Sequence, residues 1–172
     1  MNRSFIICVL TFFIIIGLSC NGKGKIVQTY TKNINDNYLI RVNGYAGKGL
    51  ASGMGFYTYE SINKKSNSET EIFTFIFDGI IYIKKENIII KNENLAYFWM
   101  SWKFAVTDDG GKTWSVWNGK DYDEFDSNYG LIEKVEIDEN GNGKMFFNQR
   151  AIERKGISFL ITKDFGKTWQ KP

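Results

Sequence analysis

Two similar stretches decide how this chain folds: FAVTDDGGKTW at residues 104–114 and FLITKDFGKTW at residues 159–169. They lie 55 residues apart, seven of their eleven positions are identical, and two further positions are apolar in both. Each stretch starts with an apolar run and ends with the pattern Thr-x-Asp-x-Gly-x-Thr-Trp. An apolar run that leads into a glycine-containing turn is typical of a strand entering a hairpin. The pair therefore predicts two equivalent hairpin turns.

The spacing inside each pattern has a physical reason. The aspartate can accept hydrogen bonds from backbone amides of its own turn, and the glycine two residues later can take a positive φ. The final tryptophan then returns to the sheet and covers the turn with a large ring. We therefore interpret Asp109 and Asp164 as turn caps rather than as general acids. The predicted structural residues of the two turns are Thr107, Asp109, Gly111, Thr113, Trp114, Thr162, Asp164, Gly166, Thr168 and Trp169.

This pattern resembles the Asp-box, or BNR repeat, of sialidases and other β-propeller-like proteins. In the families that carry it, the motif is an element of the fold and not of catalysis. A sialidase needs about six blades, and the chain that follows a leader of 19 residues is long enough for only about three. Sialidases also carry an Arg-Ile-Pro element, whereas the single proline of this chain is Pro172. We therefore reject sialidase activity.

Alternation of apolar and polar residues marks the other strands. In residues 72–77 three phenylalanines share one face, and in residues 134–138 Val135 and Ile137 do the same. Residues 61–71 and 121–129 leave room for no more than a short helical turn. Short strands joined by turns predict an all-β fold, an antiparallel meander packed as a sandwich or as partial propeller-like sheets with two Asp-box hairpins. Further strands are predicted at residues 26–30, 38–43, 54–59, 80–84, 88–91, 95–107, 114–117, 144–148 and 157–162.

The composition excludes several classes of function. The chain is 43% apolar, which is enough for a packed core and excludes a disordered protein. It contains no histidine, so catalysis that depends on an imidazole is excluded. A net charge of +3, spread along the sequence, does not predict binding to nucleic acid.

The first twenty residues, MNRSFIICVLTFFIIIGLSC, indicate export. Arg3 precedes a run from Phe5 to Leu18 that is apolar apart from Thr11. This run is shorter than the roughly 20 residues that cross a bilayer but suits a signal peptide. The run ends in a small residue followed by Cys20, which resembles the lipobox of bacterial lipoproteins. An ordinary secretory signal or a short membrane anchor is the alternative.

The lipoprotein resemblance implies a signal peptide over residues 1–19, lipidation of Cys20 and a tether over residues 20–25. A single all-β Asp-box domain over residues 26–172 would follow. By the same resemblance, the protein faces the periplasm and contacts the membrane only through its lipid. Asn21 stands where an aspartate would favour the inner membrane, so the outer membrane is favoured.

Two acidic segments partly resemble metal-binding sequences. Residues 138–143, DENGNG, match the start of an EF-hand loop, but Gln149 stands where the bidentate glutamate should be, so a hairpin turn is favoured. The other acidic segment, residues 121–126, is either a solvated loop or an acidic, aromatic surface that contacts a partner. Calcium binding is the third and least favoured interpretation. The candidate partner-binding residues of this segment are Asp121, Tyr122, Asp123, Glu124, Phe125 and Asp126. We predict no metal, no cofactor and no catalytic residue.

Glycine and tryptophan each allow a structural and a functional interpretation. Residues 44–55 hold five glycines, whose spacing misses the dinucleotide-binding fingerprint, so close approaches of backbone are favoured. Trp99, Trp102 and Trp117 are either core residues or a stacking platform for sugar. Alternation along a strand places Trp99 and Trp102 on opposite faces.

The combination of a lipoprotein signal with a small Asp-box domain resembles the periplasmic immunity lipoproteins of type VI secretion lipase effectors. The resemblance implies a non-enzyme that binds and neutralises a secreted effector protein, a lipase. A glycan-binding or glycosidase-like module of the cell envelope is the alternative, and a structural envelope lipoprotein is the third. The sequence alone does not separate these classes.

Overall fold

The computed structural model describes residues 21–49, 51–79, 82–119 and 132–172. The predicted signal peptide, Cys20 and the acidic segment at 121–126 lie outside the described residues. Within the described part, three antiparallel sheets are accompanied by one short helix, α1 (Gln149–Lys155), and a 3₁₀ turn at Lys85–Asn87. The prediction of an all-β fold is confirmed. None of the helices in these ranges is long and apolar enough to cross a membrane.

Each sheet is built from strands that are consecutive in the chain. The first sheet has the order β1-β2-β3-β4, the second β5-β6-β7-β8, and the third β11-β10-β9. The strands are β1 (Asn21–Asn33), β2 (Tyr38–Gly49), β3 (Met54–Asn63), β4 (Ser68–Asp78), β5 (Ile88–Ile90), β6 (Ala96–Met100), β7 (Lys103–Thr107), β8 (Ser115–Asn118), β9 (Ile132–Ile137), β10 (Gly143–Phe147) and β11 (Phe159–Thr162).

The described chain divides into two compact units. A smaller unit contains residues 21–30, Val42–Thr58 and Thr74–Ile83, and a larger unit contains Thr31–Arg41, Tyr59–Phe73 and Lys84–Pro172, apart from the undescribed positions. Each of the four strands of the first sheet contributes residues to both units.

In the smaller unit, backbone segments approach each other closely at glycines. A Cβ atom built at Gly47 would lie 1.8 Å from the carbonyl oxygen of Ala51, and one at Gly24 would lie 2.4 Å from that of Ala46. No side chain fits at such distances. Within residues 44–55, the predicted close backbone approach is confirmed at Gly47, whereas nothing lies within 4 Å of a Cβ atom built at Gly53.

In the larger unit, the three sheets pack face to face. Tyr59 and Phe73 of the first sheet contact Phe98 of β6, with ring centroids 4.6 and 5.5 Å apart. The opposite face of the second sheet packs on the third sheet through one apolar cluster. All five residues of β6 are consequently buried. The cluster consists of Leu95, Tyr97, Trp99, Phe104, Val106, Ile132, Val135, Ile137, Met145, Phe147, Ile157, Leu160 and Trp169.

The alternation patterns are confirmed where they were clearest. In β4, Phe73 and Phe75 are buried while Ile76 between Phe75 and Phe77 is 49% exposed. In β9, Val135 and Ile137 are buried and their polar neighbours are exposed.

The predicted strand over residues 95–107 is wrong. It is a hairpin, in which β6 and β7 are joined by a turn at Ser101 and Trp102. Ser101 adopts a φ of +56°, and no Gly, Asn or Pro marks the turn in the sequence. The two tryptophans therefore do not share a strand: Trp99 lies in the core and Trp102 is half-buried in the turn.

Other boundaries also differ from the predictions. β1 begins at Asn21, so residues 21–25, predicted as a tether, belong to a strand. Tyr82, Ile83 and Lys84 are not in a strand, against the prediction for residues 80–84. Residues 61–71 hold the end of β3, a turn and the start of β4, without a helical turn. The seven-residue helix α1 was not predicted, because it is too short to show a helical period.

Candidate functional site

The first Asp-box turn, Thr107–Trp114, joins β7 to β8 and is held by one carboxylate. Oδ1 of Asp109 accepts hydrogen bonds from the amides of Lys112 and Thr113, at 3.1 and 3.0 Å. Oδ2 accepts the hydroxyl of Thr113 at 2.6 Å. The Thr107 hydroxyl donates to Asp109 at 2.8 Å and accepts the Gly111 amide at 2.9 Å. The side chains of the motif thus satisfy the backbone of their own turn.

The second Asp-box turn, Thr162–Trp169, repeats this network after β11. Asp164 accepts the amide and the hydroxyl of Thr168, at 2.9 and 2.6 Å. The Thr162 hydroxyl donates to Asp164 at 2.7 Å and accepts the Gly166 amide at 2.9 Å. Both aspartates thus accept hydrogen bonds from the backbone and hydroxyl groups of their own turns.

The capping aspartates are held in their ionised form. Burial raises the pKa of Asp109, but hydrogen bonds from Thr113, Thr107 and Lys112 outweigh it and leave the pKa below its ordinary value. Burial and the bonds from Thr168, Thr162 and Lys167 have the same net effect on the pKa of Asp164. A general acid at neutral pH needs a pKa shifted in the opposite direction.

The glycines of the two boxes lie against the preceding sheet. Gly111 has a φ of +98°, and a Cβ atom there would lie 2.8 Å from Cδ1 of Ile34. Gly166 has a φ of +89°, and a Cβ atom there would lie 2.9 Å from Cε1 of Phe104. Both the backbone conformation and the close neighbour require glycine.

The tryptophans of the two boxes pack between sheets. Trp169 is 6% exposed, and its ring meets Phe104 edge to face with centroids 5.4 Å apart. Trp114 contacts Phe98 at the same centroid distance. Trp169 is thus buried between the layers, whereas Trp114 is half-buried beside Phe98. Trp99 lies in the core and Trp117 packs against it, which favours the core interpretation for both.

The two boxes also connect neighbouring parts of the larger unit. Nζ of Lys167 forms an ion pair with Oδ2 of Asp108, so the second box contacts the first. The Ser61 hydroxyl of β3 donates to the Gly111 carbonyl at 2.7 Å. The Asn35 side chain donates to the Gly110 carbonyl at 2.9 Å.

In the part of the chain that the structure describes, four further turns are held by the same kind of hydrogen bonds without the full motif, and only the turn at Asp138 was predicted. In each, the side-chain oxygen of an Asn or Asp accepts hydrogen bonds from two backbone amides within the next four residues. Asn35 accepts from Asn37 and Tyr38, and Asn63 accepts from Lys65 and Ser66. Asn92 accepts from Asn94 and Leu95, and Asp138 accepts from Asn140 and Asn142. The signal in the sequence was an Asn or Asp at the end of a strand or within two residues after it.

The turn at residues 138–143 is a hairpin between β9 and β10, as predicted. Hydrogen bonds from Asn142 and Asn140 hold the pKa of Asp138 below its ordinary value, so the carboxylate serves its own turn. Among the described residues, no group of three or more Cys, Asp and Glu side chains is placed to hold a metal ion.

The third sheet has one face in the apolar cluster and one outward face, named here the end face. Its register places Glu136, Lys144 and Ile161 in one row across the sheet, and Lys134, Phe146 and Phe159 in the next. Phe146, Phe159 and Ile161 lie on this outward face and are half-buried. The end face therefore combines apolar side chains with charged ones.

A groove of about 690 Å³ crosses the end face beside the second Asp-box. Nζ of Lys144 lies 5.0 Å from the ring centroid of Phe159, and the rings of Phe146 and Phe159 are 6.0 Å apart. Lys134 and Glu136 form an ion pair at 2.5 Å. The groove is lined by Lys91, Tyr97, Glu136, Ile137, Asp138, Asn142, Gly143, Lys144, Phe146, Ile161, Thr162 and Lys163.

Comparison with known protein families agrees with the geometry of the turns. Residues 105–116 and 160–171 both match the BNR/Asp-box repeat, and the two matches contain the two turns described above. The chain thus carries two BNR/Asp-box repeats. Searches of the curated proteins and of the solved structures gave no significant match.

Proposed function

We propose that this protein is an exported lipoprotein whose Asp-box domain binds and neutralises a secreted effector protein. The effector class proposed is a phospholipase delivered by type VI secretion. The support from the sequence is the apolar leader that ends at Cys20 and the resemblance to immunity lipoproteins. A lipid on Cys20 would hold the domain at the periplasmic surface of a membrane, with the outer membrane favoured, where a phospholipase acts.

The observation that carries the proposal is the end face of the third sheet, whose neighbouring turns are held by hydrogen bonds of the Asp-boxes. Protein–protein interfaces use aromatic anchors within a polar rim, and binding is stronger when the surface is already ordered. Phe146 and Phe159 supply aromatic groups, while Lys144 and Glu136 supply charges beside them. The Asp-box turns order the strand ends below this face, because their side chains satisfy the backbone groups of the turns.

Four carboxyl groups of the described chain serve as hydrogen-bond acceptors. In the described part of the chain, hydrogen bonds leave the pKa of four carboxyl groups below its ordinary value: Glu69, Asp109, Asp138 and Asp164. The pKa of Glu69 is lowered by a hydrogen bond from Arg41. Such groups stay ionised and accept hydrogen bonds, whereas a glycosidase needs one carboxylic acid with a raised pKa.

The experiment that tests the proposal is capture followed by an activity assay. The tagged full chain, extracted in detergent from cells that produce type VI effectors, is purified with whatever it binds. The captured protein is then prepared separately and assayed on phospholipid vesicles with increasing amounts of the full chain. The expected result is a hydrolase whose activity falls to zero near one equivalent.

Two results would contradict the proposal. One is the recovery of envelope proteins alone, none of which loses activity on mixing. The other is retention of the chain on peptidoglycan or polysaccharide with no protein partner, which would favour the glycan-binding alternative.

A further inference from the structure

We propose that the end face is the surface that binds the effector, and that it fits a flat apolar patch of protein bordered by carboxylates. This inference rests on the proposed function and adds to it the contact surface and the chemistry of the partner. It differs from the sequence-based candidate at residues 121–126, which lies outside the described residues.

The first argument is the correspondence between the second and third sheets. The first threonine of each Asp-box gives a common reference point. Thr107 pairs with Ala96 in the second sheet, and Thr162 pairs with Gly143 in the third, so these two pairs correspond. Counting along the strands gives the corresponding positions of the outward faces. Phe146 corresponds to Trp99, Phe159 to Phe104 and Ile161 to Val106.

On the second sheet, these positions are covered by a neighbouring layer. Trp99, Phe104 and Val106 are 6%, 0% and 1% exposed, because the third sheet packs on them. The end face keeps large apolar side chains at the same three positions. A face that repeats the apolar pattern of a buried face, and whose apolar side chains stay partly exposed, has the composition of an interface core.

The second argument comes from the opposite end of the larger unit. The turns at Asn35 and Asn92 have the same hydrogen bonds, so positions in the following strands can be compared by counting from them. Arg41 lies six residues after Asn35, and Phe98 lies six residues after Asn92. Where the second sheet buries Phe98, the first sheet therefore has an arginine, which donates to Glu60 at 2.8 Å and also to Glu69. A charged network at that end satisfies itself and does not fit an apolar layer. The two ends differ, which disfavours a second copy stacked head to tail.

The third argument is the charge around the groove. Lys144 replaces the tyrosine found at the corresponding position of the second sheet, and Lys163 and Lys91 also line the groove. No described residue forms an ion pair with Lys91 or Lys163. The acidic groups are already engaged, since Glu136 pairs with Lys134 and Asp138 accepts amides of its own turn. Carboxylates on the partner would complement this excess of lysine.

A photo-crosslinking experiment tests which molecule covers the end face. The full chain carries benzoylphenylalanine in place of Phe146 and is irradiated in cells that also produce the effector. A matched chain carries the same group in place of Val116, which is 44% exposed on β8. The expected result is a crosslink from position 146 to a surface segment of the effector that contains Asp or Glu, and none from position 116.

A binding measurement with the purified partner supplies the second readout. Full-chain K144E/K163E is compared with K65E/K112E, which changes charge by the same amount at exposed lysines away from the end face. Loss of complementary charge at an interface should weaken affinity by about 30-fold for the first variant and by less than about two-fold for the second. Matching unfolding transitions confirm that both variants are folded.

The outcomes separate this inference from the proposed function. If the wild-type chain inhibits the effector and both charge variants do so equally, the end face is not the contact surface, although the proposed function stands. A crosslink at position 146 to a second copy of the chain, or none, also overturns the inference. If position 146 crosslinks to an acidic protein that is not an inhibited hydrolase, the surface stands and the proposed function fails.

Discussion

Lys167 Nζ lies 2.5 Å from Asp108 Oδ2, so the second Asp-box turn is tied to the first by an ion pair. Asp108 and Lys167 lie in the turns that follow β7 and β11, at positions that the Thr-x-Asp-x-Gly-x-Thr-Trp pattern leaves variable. The motif thus supplies the turns, and residues between its fixed positions supply the link from one turn to the next.

This ion pair contributes little to stability by itself. The side chains of Lys167 and Asp108 are 43% and 29% exposed, so water and salt screen their attraction. A double-mutant cycle with K167A and D108A, measured by urea unfolding, should give a coupling free energy of about 0.2–1 kcal/mol that shrinks at high salt. A coupling well above that range at high salt would contradict this account.

The capping aspartates contribute more to the free energy of unfolding than the ion pair between Lys167 and Asp108 does. Asp164→Ala removes the acceptor of the Thr168 amide and hydroxyl and of the Thr162 hydroxyl. The free energy of unfolding should fall by about 1–3 kcal/mol, since backbone and hydroxyl donors lose their partner. The same loss is expected for Asp109→Ala. The exposed Glu139→Ala, in the turn between β9 and β10, is the control and should change stability by less than about 0.5 kcal/mol.

A series of glycine substitutions separates backbone strain from steric conflict. A Cβ atom at Gly53 would meet nothing within 4 Å, and the residue has no positive φ. Gly156 has a φ of +66°, and a Cβ atom there would also meet nothing within 4 Å. Gly166 has a φ of +89°, and a Cβ atom there would lie 2.9 Å from Cε1 of Phe104. Thermal unfolding should rank the three alanine substitutions in that order of increasing destabilisation. Strain alone should cost about 1–2 kcal/mol at Gly156, and Gly166 should cost more. Equal costs at Gly156 and Gly166 would mean that the contact with Phe104 is unimportant.

Acid should weaken the fold through the capping aspartates. The pKa values of Asp109 and Asp164 are lower in the folded state than in the unfolded chain, where they are about 3.9. Their stabilisation is therefore complete above that pH and is lost as the pH falls through the folded values. Unfolding curves should show stability decreasing below about pH 4. In D109N/D164N the decrease should be smaller; an unchanged pH dependence would argue against this cause.

The parts of the fold that the sequence predicts are those with local causes. The Asp-box hairpins depend on hydrogen bonds within eight residues, so their residues and spacing suffice. The hairpin at Ser101 has no such signal, because a serine in a left-handed conformation is specified by the packing of β6 and β7. The end face was not predicted because adjacent positions, Phe146 and Phe147, are both aromatic. Only the packed structure tells that Phe147 enters the core and Phe146 faces outward.

The most direct test of the central claim is a titration of the captured effector's phospholipase activity with the full-length protein. We predict that activity falls linearly to zero at about one equivalent, and that K65E/K112E inhibits as well as the unmodified chain. Activity that stays constant through several equivalents of folded protein would contradict the claim that this Asp-box domain neutralises a secreted enzyme.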